Sequence, residues 1–422
     1  MDGHTVVTGE RNWAGNYTYR AAEIHRPSSV DELREIVSRA PRVRVLGSRH
    51  SFSDVADSEQ LVHIGGLPRR FEVDRDAGTV TFSGGMTYGE LAPLLEAEGL
   101  ALHNLASLPH ISVAGAVATG THGSGNRNGN LATAVAGLEL ITSNGDMLNA
   151  VRSDPDFEGL VVNVGALGAI TSLTLDVEPA YSVRQRVFEH LPWEAVYDHF
   201  DDVTGAAYST SLFTRFGDTV DMVWLKSRVT GEDESVWPEF YGATPAPDER
   251  HPIPGLSGER TTPQLGVPGP WWERLPHFVM GFTPSNGDEI QSEFLVPREH
   301  AVAAIRAVQG LRDQIVPLLQ ICEIRTMAAD RLWLSPQYGT DTIGLHFTWL
   351  QEQENVERVL AVIEDALRPF RARPHWGKVF TSGAADIAPL YPKLPQFLHL
   401  VESLDPRGAF RNPWFERSIL GA

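Results

Sequence analysis

Residues 101–129, ALHNLASLPHISVAGAVATGTHGSGNRNG, constrain the fold more than any other stretch. They are dense in Gly, Ser, Thr and His and lie between segments that alternate apolar and polar residues. Small residues let backbone N–H groups approach a ligand closely, and hydroxyls add donors, a combination suited to a diphosphate. The glycine order nevertheless fits no doubly wound dinucleotide fold. Gly120, Gly123 and Gly125 are in the wrong order for that fingerprint and are followed by more loop instead of a long helix. No Gly-Lys-Ser/Thr is present, so a phosphate loop of the NTPase kind is excluded as well. Two readings remain: a flexible surface loop, or a dinucleotide site on a different fold.

The flanking sequence favours an ordered setting. RPSSVDELREIVSRA reads as a helix, with Ser29 and Glu32 as a capping box and Val30, Leu33, Ile36 and Val37 on one face. A short strand from Arg42 to Leu46 follows. FEVDRDAGTVTFSGG reads as two strands about an Asp76-Ala77-Gly78 turn, and Thr87 with Glu90 caps a second helix. Asn144-Gly145 marks a further hairpin. Helices and hairpins mix without a regular βαβ series, which predicts an α+β fold. A boundary falls near residue 179, where the alternation of VNVGALGAITSLTLDVEPAY ends. From Arg228 to Pro276 the chain is rich in Pro, Gly and charge, as a long surface excursion would be. Strands resume at EIQSEFLVP, QICEIRTM and TIGLHFTWL, around a helical REHAVAAIRAVQGLRDQI.

Composition narrows the function classes. A chain of 422 residues is too long for one ordinary core. Its formal net charge of −19 repels phosphate backbones, so nucleic acid and anionic membranes are poor partners. The single cysteine, Cys322, excludes an intrachain disulfide and a cysteine-based zinc site. The N-terminal residues lack the apolar core of a signal peptide, and no apolar run reaches membrane-spanning length. A soluble, cytoplasmic protein is expected.

Several residues are candidates for chemistry. In VRVLGSRHSFSD an alternating run stops at Gly47, and Arg49-His50 sits between serines; a solvated loop, a ligand, a base or an attachment point all fit His50 locally. Ser107 in ASLPHIS lacks a nucleophile elbow, so it is a hydrogen-bonding hydroxyl or a turn serine. Glu323 and Arg325 in CEIRT are two apart and share a strand face, as do His346 and Thr348 in LHFTW. Such faces commonly meet solvent, but Ile321, Ile324, Leu345, Phe347 and Trp349 mark both strands as half-buried. If the polar faces point inward, they form one pocket wall. In RPHWGKVF, Lys378 is expected on a strand face with Trp376 and Phe380, either snorkelling to solvent or partly desolvated. Among the histidines, His103, His110 and His122 have irregular loop spacing, and no H-E-x-x-H occurs, so no metal site is expected.

Taken in order, NWAGN, RVRVLGSRHSF, LASLPHISVAGAVATGTHGSG, GALGAITSLTLDVEPAY, GVPGPWWERLPHF, CEIRTMAAD, HFTW and RPHWGKVF resemble the alditol oxidases. These belong to the vanillyl-alcohol-oxidase type of FAD-linked oxidoreductases. The resemblance spans essentially the whole chain. It implies a two-subdomain FAD-binding domain built from residues 1–178 and 374–422. Residues 179–373 would form a substrate-binding cap with a mainly antiparallel sheet flanked by helices. It also implies FAD attached covalently through His50. Gly47, Ser48, Arg49, Ser51, Ser107, Ser112, Gly115, Thr119, Gly120, Thr121, His122, Ile170 and His375 would line the cofactor. Ser107, Glu323, Arg325, Thr348 and Lys378 would bind substrate, with His346, Arg325 and Lys378 as catalytic groups.

One departure stands out: Arg49 occupies a position that is glycine in the family pattern. If that position needs a positive φ, the β-carbon costs roughly 1–2 kcal/mol. Arg49 is expected either at the flavin diphosphate or in solvent. The implied reaction takes hydride from a terminal polyol carbon, of xylitol or sorbitol for example, to flavin N5, with His346 as base. Oxygen then returns the flavin to its oxidised state and gives hydrogen peroxide. The partners are thus a small polyol and oxygen, acting on a monomer. An aldonolactone oxidase or dehydrogenase on the same fold, and a non-catalytic flavin carrier, are the alternatives.

Overall fold

The computed structural model describes residues 4–6, 9–231, 237–281 and 289–421. Residues 232–236 of the Pro/Gly-rich stretch, and residues 1–3 and 7–8 of the N-terminal reading, lie outside the described residues.

Three larger sheets and a two-stranded ribbon, Leu100–Ala101 with Glu178–Pro179, organise the described residues as an α+β fold. A small mixed sheet orders His4–Val6, Glu23–His25, Gln60–Val62 and Val43–Val45, the last three parallel. The helix Val30–Arg39 covers it with buried Leu33 and Val37. Ser29 accepts from the Glu32 amide as expected. The reciprocal bond is displaced by one residue, because the Glu32 carboxylate accepts from the Ser28 amide at 2.7 Å. An antiparallel sheet of five strands follows, ordered Phe71–Asp74, Thr79–Ser83, Ala169–Asp176, Val135–Ile141 and Met147–Val151. Both expected turns close its hairpins, with Gly78 at φ 65° and Gly145 at φ 82°, where a side chain would be strained. Thr87 and Glu90 form the full capping box of the helix Tyr88–Ala97.

The third sheet is antiparallel throughout. Its order is Thr244–Pro245, Ser182–Pro192, Thr219–Arg228, Ser209–Thr214, Leu319–Met327, Thr342–Leu350, Glu289–Pro297 and Arg373–Pro374. Strand alternation divides its residues between two faces. Leu212, Val223, Ile324, Leu345, Phe347 and Trp349 face a core closed by the helices Ala301–Gln309 and Gln353–Leu367. The opposite face carries the polar residues and turns toward the Gly-rich block. The helical segment after Pro297 breaks at Gly310, giving Ala301–Gln309 and the short Arg312–Ile315.

The C-terminal residues return to the first sheet. The Val43 amide donates to Ala409 O at 2.7 Å, and the buried Arg44 donates to Asn412 Oδ1 at 3.0 Å. Asn412 Nδ2 in turn donates to the carbonyls of Asp54, Val55 and Asp57. Within the Gly-rich block, Val113–Ala118 forms a helix that periodicity did not reveal. Six small or branched residues carry too little pattern to separate helix from loop.

Candidate active site

Strand register builds one wall of the site. Glu323 pairs with His346, and His346 pairs with Glu293 on its other side. Three neighbouring strands therefore present two carboxylates and an imidazole in one row. One step along, Arg325 lies opposite Gly344. A β-carbon at Gly344 would come within 2.8 Å of Glu293 Oε1, so the missing side chain makes room for that carboxylate.

The charges on this wall are buried and paired. Glu293 is 1% exposed; Oε1 accepts from Arg325 Nη2 at 2.8 Å, and Oε2 accepts from Lys378 Nζ at 2.8 Å. His122 Nε2 lies 3.2 Å from Oε1. Burial alone would raise the Glu293 carboxyl, but Arg325, Lys378 and His122 outweigh it and hold it well below the usual range. Glu323 Oε1 accepts from His277 Nε2 at 2.9 Å, and Oε2 lies 3.6 Å from Arg325 Nε. Burial opposes its ionisation too, and Arg325 and His277 again prevail, keeping it well below the carboxylate range.

His346 is held in one tautomer. Gln291 Nε2 donates to Glu289 Oε1 at 2.5 Å, which leaves Gln291 Oε1 to accept from His346 Nε2 at 3.1 Å. The lone pair therefore sits on Nδ1, 3.5 Å from Glu323 Oε2. Neither acceptor satisfies the other, so both are open to a hydroxyl donor presented from the cavity that they line. Burial, with help from Lys378, pushes the His346 pKa down to about 4, so the ring is neutral at physiological pH.

A cavity of roughly 480 Å³ lies against this wall, lined by Ser107, Glu323, Arg325, His346, Thr348 and Lys378. The same cavity reaches Trp13, His50 and the Ser112–Thr121 region, and it meets a second of roughly 360 Å³ at Gly47, Ser48, Ser112 and Gly115. The second continues past Ile170 to Gly84, Gly85 and Thr87. Loop and helix are tied there by Ser48 Oγ, which accepts from the Ser112 amide at 2.9 Å. A β-carbon on Gly47 would meet Ser112 Oγ at 2.5 Å, and one on Gly84 would meet Ile170 O at 2.4 Å. An extended, backbone-lined channel of this kind fits a dinucleotide, and its wide end fits a flat ring. His50 stands at that end, stacked on Trp13 with ring centroids 5.0 Å apart. Neither ring nitrogen has a hydrogen-bond partner of good geometry although both are buried. Burial, only partly offset by the Ser48 backbone, pushes the His50 pKa down to about 4. An unprotonated, unpartnered nitrogen is what bonding to a cofactor carbon requires.

Ser51, Thr119, Thr121, His122 and His375 also line the first cavity. Two expectations need correction. Gly120 is not on either cavity wall; it turns the chain at φ 65° after the Val113–Ala118 helix, and a β-carbon would approach Pro336 at 3.0 Å. Lys378 is not on a strand with Trp376 and Phe380. His375–Lys378 is a turn, closed by the Lys378 amide donating to His375 O at 3.1 Å, so Lys378 reaches Glu293 while Trp376 donates to Leu334 O. Arg49 adopts the positive φ, 63°, that favours glycine; it borders the first cavity, and its exposed guanidinium pairs with Glu10.

Sequence reading passed over Glu293, Gln291, His277 and Lys226. Glu289, Gln291 and Glu293 alternate with Ile290, Ser292 and Phe294, the same two-residue signal that singled out Glu323 and Arg325. For His277 and Lys226 no local signal exists. Among the described residues, His122, Glu293 and His375 also bring ligand-type atoms within 4.8 Å of one another. Arg325 and Lys378 already occupy the Glu293 oxygens, and two cations there oppose the binding of a third.

Comparison with known proteins agrees with this geometry. Solved structures with the same fold include a cholesterol oxidase from B. sterolicum, with a TM-score of 0.78 over 98% of this chain and 97% of that one, at 14% identity. Residues 21–150 match a family described as FAD binding domain, and residues 285–418 match the D-arabinono-1,4-lactone oxidase family. The molecule is thus an FAD-binding oxidoreductase of two-part construction. An alditol oxidase from Streptomyces sp. is 48% identical over 98% of this chain and 100% of its own length. An L-gulono-1,4-lactone dehydrogenase from Mycobacterium tuberculosis is 30% identical over 97% of this chain and 98% of its own. The chain belongs to the alditol oxidase family of vanillyl-alcohol-oxidase-type, FAD-linked enzymes. No described helix is long and apolar enough to cross a membrane.

Proposed function

We propose that the protein is an FAD-dependent alditol oxidase that converts the terminal CH–OH of polyols such as xylitol and sorbitol to the aldose. The observation that carries this reading is the convergence of Glu323, Arg325, His346, Thr348, Lys378 and Ser107 on the cavity that also holds His50. The 48% identity to an alditol oxidase over nearly the whole chain supports it. In this reading residues 1–178 and 374–422 bind FAD, residues 179–373 form the cap, and His50 bonds the flavin.

When bound, FAD supplies the two-electron acceptor, taking hydride at N5 and passing its electrons to oxygen to give hydrogen peroxide. The protein does the remainder. His346 Nδ1 takes the hydroxyl proton, because its tautomer leaves that lone pair free and Glu323 Oε2 beside it stabilises the resulting cation. Arg325 and Lys378 stabilise negative charge developing on the substrate oxygen, and Glu293 aims both. Glu323, Thr348 and Ser107 hydrogen-bond the remaining hydroxyls. A site built from such groups rejects alcohols that lack them, since buried polar partners would be left unpaired.

Anaerobic titration with xylitol tests the reading: the flavin is expected to bleach, and a carrier protein would stay yellow. A denaturing gel viewed under ultraviolet light tests the attachment, which His50→Ala is expected to abolish. Aldonolactone oxidation is the second reading, favoured by the match of residues 285–418 to the lactone oxidase family. Faster bleaching by a sugar lactone than by any polyol would establish it in place of the first.

A further inference from the structure

Behind Glu323 lies a buried cation that the proposed chemistry does not use. Lys226, 1% exposed, projects from Thr219–Arg228 on the same sheet face as Met222 and Trp224. Among the described residues its ammonium has no carboxylate in hydrogen-bonding reach. Nζ donates instead to Leu275 O at 2.5 Å and Pro276 O at 3.0 Å, and lies 3.1 Å from His277 Nδ1. Three acceptors match the three protons of an ammonium. That assignment makes Nδ1 of His277 an acceptor and puts its proton on Nε2, the atom 2.9 Å from Glu323 Oε1.

We propose that Lys226 is a positioning residue that fixes the His277 tautomer, so that His277 pins Glu323 as an ionised acceptor for substrate hydroxyls. The opposite tautomer would turn a nitrogen lone pair toward a carboxylate and repel it. The surroundings keep the arrangement dependent on Lys226. Trp224 and Phe213 pack on the His277 ring, with centroids 5.2 and 5.6 Å away, and admit no competing polar partner from that side. Burial pushes Lys226 down to about 7, against the pull of the Glu323 carboxylate. The proposal depends on Glu323 contacting substrate, as in the function proposed above.

Two readouts test it in the FAD-loaded protein. Nitrogen-15 spectra at pH 6, with His277 assigned by difference from His277→Gln, are expected to show only Nε2 protonated in the parent and a mixture of the two tautomers in Lys226→Met, where Glu323 alone still favours the Nε2 proton. In steady-state oxidation, Lys226→Met is expected to raise KM for xylitol at least tenfold while kcat changes less than threefold, the pattern of lost ground-state binding. Lys226→Gln, whose carboxamide still donates to Nδ1, is expected to recover most of that loss. In a His277→Gln background, where no tautomer is available to set, Lys226→Met is expected to change KM less than twofold. An unchanged His277 tautomer in Lys226→Met, or an equal KM effect in both backgrounds, overturns the positioning role. If xylitol fails to bleach the flavin of the parent protein, the proposed function has failed and this inference falls with it. Bleaching in the parent with unaltered Lys226→Met defeats the positioning role alone.

Discussion

The cofactor channel and the cap wall meet in one cavity but are built by opposite means. The channel is made of backbone and small side chains from short loops and the start of the Val113–Ala118 helix: Gly47, Ser48, Gly84 and Gly85, with Ser112 and Gly115. The wall is made of long charged side chains brought together by strand register, with Glu293 and Glu323 each shared among cations or imidazoles. The first recognises by shape and by amide dipoles that need no counter-ion. The second depends on every partner being present, since a buried charge without its mate is costly. Tolerance to substitution should therefore differ sharply between them.

The largest effect is expected at the proposed base. His346→Ala should slow anaerobic flavin reduction by roughly 10²–10⁴-fold, the span of general-base contributions. Polyol affinity should weaken far less, and stopped-flow reduction against polyol concentration separates the two. If affinity falls while reduction holds, His346 positions substrate and another group takes the proton. Glu293→Gln comes next. It strands Arg325 and Lys378 and should lower unfolding free energy by about 3–5 kcal/mol, read from denaturant melts. A loss under about 1 kcal/mol would mean that the network contributes little to stability.

Acid should act on the wall along the same line. His277 and His346 have folded pKa values of about 4, against about 6.5 when unfolded. The unfolded chain binds more protons between these values, so stability declines as pH falls from about 6.5 to about 4. Glu293 and Glu323, held below the carboxylate range, extend the decline to lower pH. Melting temperatures from pH 8 to pH 4 check the sign. The smallest effect belongs to the channel side. Arg49→Gly relieves a left-handed backbone worth roughly 1–2 kcal/mol. It also adds about 0.4–1 kcal/mol of unfolded-chain entropy and removes the partly exposed Glu10 pair. Thermal unfolding should move by under about 1 kcal/mol in total, and a larger destabilisation would mean that Arg49 holds more than Glu10.

The same contrast decides what the sequence made legible. Channel residues follow one another in the chain, so Gly47 to Ser51 and Ser112 to His122 stand out as composition. Glu323, Arg325, His346 and Thr348 were legible as two-residue alternations within single strands. Glu293 carried the same alternation and was passed over, whereas Lys226 and His277 gain their proposed roles only through contact between a strand and a distant loop, which local pattern does not encode. Lys378 was noticed for its chemistry and misplaced in geometry. Gly120 was drawn in by its neighbours, although its work is to turn the chain.

The closing of the first sheet by the last residues has a consequence for synthesis. Arg44 meets Asn412, 368 residues further along the chain. The N-terminal segment cannot finish its proposed cofactor channel until that distant segment has emerged, so flavin capture is expected late in synthesis rather than as the first sheet appears. Truncation shortly before Ala409 would then yield a chain whose cap can pair its strands but whose product is colourless.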